Sequence, residues 1–241
     1  KLLETGYVFG SEERTRIFLT NALEPARDLD MEFIFMAESL AHEAQAANEA
    51  KAKCQYSVLI GNPPYAGHSS NNHIRSIVSL VEDFRKSDPS LRGPGQGKWL
   101  QDDYVKFYRQ AISQLEISGC GVLGLITNHR FLSNRTFRGM RKYILDFFDG
   151  MNFFDLHGNI TIKEIPPSGL DQNVFDIEQG VGISICHRTN GANCDCAIRD
   201  FWGIRDEKYR ELLEKNSKQN LTSIVPAAPL YLFADRDFDI F

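Results

Sequence analysis

Apolar residues along this chain follow two rhythms, and their alternation predicts the fold class. Unbroken apolar runs at 16–23 (RIFLTNAL), 56–60 (YSVLI), 122–127 (VLGLIT) and 180–186 (GVGISIC) read as strands buried on both faces. Residues 153–156 and 194–201 add two short strands. Between these runs the apolar positions switch to helical spacing. Ile74, Ile77, Val78, Val81 and Phe84 mark one helix. Tyr104, Phe107, Tyr108, Ala111, Ile112 and Leu115 mark the clearest one, over 103–117, with Gly119 as its stop. Residues 136–148 are amphipathic behind Ser133 or Asn134 as a cap. The Ala/Glu-rich stretch from about 32 to 53 and the charged stretch 206–218 complete the helices. The Gly/Pro-rich stretch 87–98 predicts a linker. Strands alternating with helices predict an α/β fold with a mainly parallel sheet and helices on both faces.

One word of sequence carries chemistry. Gly61-Asn62-Pro63-Pro64-Tyr65 follows the 56–60 strand directly, and ligands of an open parallel sheet bind at the carboxyl ends of its strands. The two prolines fix two φ angles and remove two N–H donors. Pro63 also biases Asn62 toward an extended conformation. The result is a stiff turn that offers oxygen acceptors without competing donors. The Asn62 side-chain oxygen and the Pro63 carbonyl can together accept both hydrogens of one –NH2 group. Paired acceptors on an aromatic amine favour a pyramidal nitrogen with a directed lone pair, which suits attack on a methyl sulfonium. Tyr65 offers a ring on which a base can stack.

Composition narrows the classes. The 241 residues carry a net charge of −5, which argues against coating nucleic acid by charge alone. No apolar run approaches the ~18 residues of a membrane span, and 1–4 (KLLE) opens neither a signal peptide nor an initiator Met, so the expectation is a piece of a longer polypeptide. The five cysteines, Cys54, Cys120, Cys186, Cys194 and Cys196, have irregular spacing. They read as reduced thiols of a cytoplasmic protein, and no metal site is expected from them.

The chain resembles the NPPY class of N6-adenine DNA methyltransferases, and most closely the methyltransferase domain of type ISP restriction–modification enzymes. The segments that carry this are RIFLTNALE (16–24), VLIGNPPYAGHS (58–69), LQDDYVKFYRQA (100–111), GVLGLITNHRFLSNRTFRGMR (121–141), DLHGN (155–159) and NVFDIEQGVGIS (173–184), in the expected order. The resemblance implies part of a class I S-adenosylmethionine-dependent, Rossmann-like sheet that moves a methyl group to a flipped-out adenine in double-stranded DNA. In that scheme Asn62, Pro63 and Pro64 form the catalytic corner, and Tyr65 and Phe175 hold the target base. Asn21 stands where related enzymes place an acidic cofactor-binding residue. The resemblance further implies a prokaryotic cytoplasmic protein, a larger restriction–modification polypeptide around this chain, residues 1–190 as the C-terminal part of the catalytic domain, and 191–241 leading toward a target-recognition region.

The family's Gly-rich cofactor loop is expected upstream of residue 1, with two sheet strands missing between 16–23 and 56–60, so this chain alone is expected to be incomplete. Gly119 to Gly124 spells GxGxxG, yet it ends a helix and opens a strand, the reverse of a cofactor loop. GPGQGK (93–98) lacks the preceding strand and the Ser/Thr of a phosphate loop. Arg135 and Arg138, in a basic cluster with Arg130, Arg141 and Lys142, are candidate DNA-backbone contacts, with a solvated charged face as the alternative. Two rival functions stay open: an NPPY methyltransferase acting on protein glutamine or RNA, and a truncated, inactive scaffold or DNA-binding module.

Overall fold

The computed structural model describes residues 4, 6–8, 10, 16–26, 38–64, 69–87, 98–162, 164–167, 169–191, 194–214 and 220–234. The chain divides into two compact units, 1–54 and 55–241. The first unit holds helix α1 (Glu38–Lys53) and a turn at 21–24. In that turn the Leu23 amide donates to Asn21 Oδ1 at 3.1 Å, and Lys51 of α1 donates to the Asn21 carbonyl at 2.8 Å. The expected strand at 16–23 does not form: 16–19 take no regular structure, and Ile17 and Leu19 are exposed. A strand needs a ladder partner for its N–H and C=O groups, and none pairs with this run among the described residues.

The second unit is a six-stranded sheet: β1 (Val58–Gly61), β2 (Gly121–Asn128), β3 (Gly150–Asp155), β4 (Val181–Arg188), β5 (Asp195–Asp200) and β6 (Thr222–Ser223), in the spatial order β1-β2-β4-β3-β5-β6. β1 pairs with β2 and β3 with β5 in parallel; β4 runs antiparallel to both β2 and β3. The sheet is therefore mixed where a mainly parallel one was expected. The cause is the connection from β3 to β4. A parallel return needs a crossover, usually a helix, and the described residues of 156–180 contain none. The chain turns back at the same end of the sheet, so Gly182 lies opposite Asp155 and Val181 opposite Asn128.

Helices α2 (Arg75–Lys86), α3 (Asp103–Ser118) and α4 (Arg138–Phe147) bury their apolar stripes on one face of this sheet. Leu123, Leu125, Met151, Phe153, Cys186 and Ile198 meet Phe84, Tyr108, Ile112, Leu115, Met140 and Ile144 there. Gly119 closes α3 at φ 79°, a conformation that favours glycine, and its N–H returns to the Leu115 carbonyl. On the other face Ile126, Phe154 and Ile183 pack with Val174, Phe175 and Ile177 and with Leu212 of α5 (Arg205–Leu213). The false GxGxxG is indeed the junction between a helix end and a strand start. The 93–97 part of GPGQGK lies outside the described residues.

The aromatic centre joins distant parts of the chain. Phe153 of β3 stacks on Phe233 with ring centroids 4.4 Å apart, and Phe131 meets both edge-on. Phe153→Ala is expected to lower the unfolding free energy by about 3–5 kcal/mol. Urea denaturation checks this, and a loss well below that range would show that the site collapses around the smaller side chain.

Candidate functional site at the carboxyl rim of the sheet

The carboxyl ends of β1, β2 and β3 and the start of β4 share one rim of the sheet. At β1 the turn emerges from Gly61, which lies opposite Leu125. Asn62 is exposed, Pro63 is buried and Pro64 is exposed, so the first proline anchors the corner while the asparagine stands clear of the core. Tyr65 and His68 lie outside the described residues.

The segment after this corner is tied down by α3. Asp103 accepts from the Ser69 hydroxyl at 2.5 Å and from the Asn71 side-chain NH2 at 3.0 Å. Lys106, one turn on and fully buried, donates to Ser69 and to Asn72 Oδ1. Burial lowers the Lys106 pKa against the pull of Asp103 and Asp102. The QDDYVK stretch thus does local work that its helical periodicity does not announce. His73, which the sequence places in the same loop, is exposed beside the Ser70 carbonyl.

A cleft of about 760 Å³ opens on this rim. Ser69 and Asn72 line it from the β1 side, Trp99 and Tyr104 from the start of α3, Arg130 from the turn after β2, and Asn159 from the segment after β3. The Arg130 guanidinium sits 5.1 Å over the Trp99 ring, a cation–π contact. Asn128 caps the turn, its side-chain oxygen accepting from the Arg130 amide at 2.9 Å. The Tyr104 hydroxyl is buried without a hydrogen-bond partner among the described residues, and burial raises its pKa well above the ordinary value.

Behind the cleft lies a polar cluster. His129 Nδ1 lies 2.8 Å from Asp155 Oδ1, and its Nε2 meets the Asn159 side-chain amide at 3.0 Å. His157 lies between Glu164, 3.2 Å from Nδ1, and Asp200, 2.7 Å from Nε2, with its ring stacked on Trp202. Burial opposes charge on His157, yet its hydrogen bonds to Asp200 and Glu164 and the charge of Asp155 prevail, raising the pKa to about 9. Burial likewise opposes the Asp155 and Glu164 carboxylates, and the two histidines hold both pKa values low. Gly180 permits this packing, since a Cβ there would lie 2.2 Å from the His129 ring.

Phe175 is placed by Asn173, whose oxygen accepts from the Phe175 amide and whose NH2 reaches the carbonyls of Gly158, Ile177 and Gln179. Partly buried, Phe175 lines a shallow depression of about 700 Å³ that adjoins the cleft through Glu178. Asn62 lines neither cavity, so no described cavity brings the NPP corner and Phe175 together. Asn21 belongs to the first unit, where its side-chain oxygen caps its own turn.

The basic residues divide. Arg135 is exposed, and Arg138 folds back to donate to the Arg135 carbonyl at 2.8 Å. Lys142 pairs with Asp146. Arg141, grouped with them by sequence, is fully buried and donates to the carbonyls of Phe131, Asn134 and Leu230. It is a structural strut and has no surface to offer DNA.

Residues 16–160 match the family model described as Eco57I restriction-modification methylase. No curated protein matches the chain. Among solved structures, the chain is similar to a nuclease-deletion mutant of the Type ISP restriction-modification enzyme LlaGI in complex with a DNA substrate mimic (TM-score 0.66, 20% identity, 78% of this chain and 19% of that one). It is also similar to DrdV in a DNA complex (0.64, 24%, 79% and 19%). A third is the ATP-dependent Type ISP restriction-modification enzyme LlaBIII bound to DNA (0.69, 21%, 92% and 15%). The chain spans less than a fifth of the length of each.

Asp103→Ala removes the acceptors of Ser69 and Asn71. It is expected to cost about 1–3 kcal/mol and to speed amide exchange at 69–74 while leaving β2 protected. Hydrogen exchange checks this, and unchanged rates at Asn71 would contradict the tie.

Proposed function

The chain belongs to the Eco57I restriction-modification methylase family, and from that premise we propose that it carries the base-handling half of a site-specific adenine-N6 DNA methyltransferase. The methyl donor is S-adenosylmethionine, the substrate is an adenine extruded from double-stranded DNA, and the chain works within a larger restriction–modification polypeptide. The observation that carries this reading is the corner after β1: Asn62 exposed and Pro63 buried at the carboxyl end of a sheet strand. Such a corner offers two oxygens to one exocyclic amine and no N–H at either proline.

In this reading Asn62 and the Pro63 carbonyl orient the adenine amine, and Pro64 stiffens the turn. Tyr65 stacks on the base, and Phe175 supplies a second aromatic surface. Orientation and preorganised dipoles are the chain's contribution to rate; the sulfonium of the donor supplies the methyl group. Among the described residues no Gly-rich turn joins a strand to a helix, and the Asn21 side-chain oxygen is engaged in its own turn. Arg135 and Arg138 contact DNA phosphates in this scheme, a role supported by their place on the 3-10 turn and helix start just beyond β2.

Asn62→Ala in the complete enzyme is expected to lower kcat by about 100- to 1000-fold with little change in DNA affinity. Transfer of labelled methyl groups to unmethylated DNA, followed by base analysis, reads it. Label on cytosine or on protein, or full activity in the variant, would reject the adenine assignment.

Replacing Arg135 and Arg138 together by Ala is expected to make the slope of log affinity against log salt shallower by about one to two counterions. An unchanged slope would remove both from the interface.

A further inference from the structure

We propose that His129, Asp155, His157 and Glu164 form a binding site for one zinc-class divalent cation. His129 Nδ1, an Asp155 carboxylate oxygen and a ring nitrogen of His157 all lie within 4.8 Å of one another. Glu164 Oε1 stands beside these three, 3.2 Å from His157 Nδ1 and 4.0 Å from His129 Nδ1. The other separations are 2.8 Å between His129 Nδ1 and Asp155 Oδ1 and 3.7 Å between His157 Nδ1 and that same oxygen. Ligand atoms around tetrahedral zinc lie about 3.3–3.5 Å apart when the bonds are near 2.1 Å. Of the six separations that four ligand atoms define, these four run from 2.8 to 4.0 Å, on either side of that value.

The surroundings fit the same occupant. His157 presents its remote nitrogen to the Asp200 carboxylate at 2.7 Å, the carboxylate–histidine arrangement that orients metal-bound imidazoles. Trp202 stacks on the His157 ring and fixes its plane. The backbone of His157 holds φ 49°, a left-handed conformation that is costly for a residue with a side chain and collects at sites under constraint. Asp155 and Glu164 are both largely buried; they face the two imidazoles and the backbone amides of His157 and Asn159, with Asp200 at the cluster's edge. A dication held by two carboxylates and two neutral imidazoles makes a neutral unit, which burial demands. Two nitrogen and two oxygen donors favour zinc over magnesium or calcium.

With four protein ligands the site is closed, so its role is structural. It joins the carboxyl ends of β2 and β3 to residues 159–164, and Asn159 is a wall of the cleft. The competing occupant is a proton, which would make His157 an imidazolium between Glu164 and Asp200. The two differ at Asn159. Coordination through His129 Nδ1 leaves the ring proton on Nε2, so the Asn159 oxygen must leave the Thr161 and Ile162 amides it accepts from here and turn toward the ring. Without the ion, Nε2 is free to accept from the Asn159 NH2, which lies 3.0 Å away here. The inference is independent of the methyl-transfer reading.

Elemental analysis of the tag-free purified protein tests it, followed by chelator stripping and titration with zinc chloride, cobalt chloride and magnesium chloride. One zinc per chain is expected. Cobalt should restore the stoichiometry with the intense visible absorption of a tetrahedral site, zinc should raise the melting temperature of the stripped protein, and magnesium should do neither. Glu164→Gln and His157→Ala should abolish cobalt absorption. Asp200→Asn, which keeps all four ligands, should weaken zinc about 10- to 100-fold. His73→Ala should change nothing. Stripped wild-type protein that keeps its circular dichroism yet shows no zinc or cobalt binding would overturn the proposal in favour of the proton. Cobalt absorption that survives Glu164→Gln and His157→Ala would also overturn it.

Discussion

A stretch of chain with neither helix nor strand lies against the carboxyl rim of the sheet, and its backbone must find hydrogen-bond partners in side chains. This need governs residues 156–180. Asp155 accepts the His157 amide, Glu164 the Asn159 amide, and Asp171 the amides of Gly158 and Gly203. Asn173 serves three carbonyls, and the buried Lys208 reaches from α5 to those of Leu156 and Gln172. The polar residues of the rim are numerous because they replace a missing ladder. The same groups wall the cleft and seat Phe175, so fold and site draw on one set of hydrogen bonds.

Much of the architecture was legible in the apolar rhythm. β1, β2, β4 and β5 lie within a few residues of their expected places, and α3 matches almost residue for residue because its stripe faces a continuous core. The failures have physical causes. The apolar letters at 16–23 suit a strand, but pairing is not a property of one segment. The direction of β4 depended on the absence of a helix among the described residues of 156–180, and no apolar pattern encodes an antiparallel insertion. The short β6 has two exposed residues and no periodicity to read.

The candidate site was legible only in its local part. Asn62 and Pro63 are neighbours in sequence, and their use follows from the chemistry of two prolines after a strand. The groups of the cleft and of the histidine cluster come from separate strand ends and from the approach to α3, and only the tertiary arrangement brings Trp99 near Arg130, or His129 near Asp155. Arg141 shows the converse error. Its letter suggested a basic surface, while its position on α4 turns it inward. Family membership fits the α/β sheet as part of a class I methyltransferase fold, and the small share of each relative that the chain spans makes the remaining functions matters for the whole polypeptide.

Arg141 also bears on which exchanges this fold tolerates. Its guanidinium joins the turn after β2 to Leu230, far along the chain, through several N–H groups fixed in one plane. Lysine carries the same charge but only a single flexible ammonium, unable to span three carbonyls set apart in this way. A substitution usually ranked as the mildest available would therefore unfasten the C-terminal segment, while harsher changes at the nearby exposed Arg135 would leave the architecture intact.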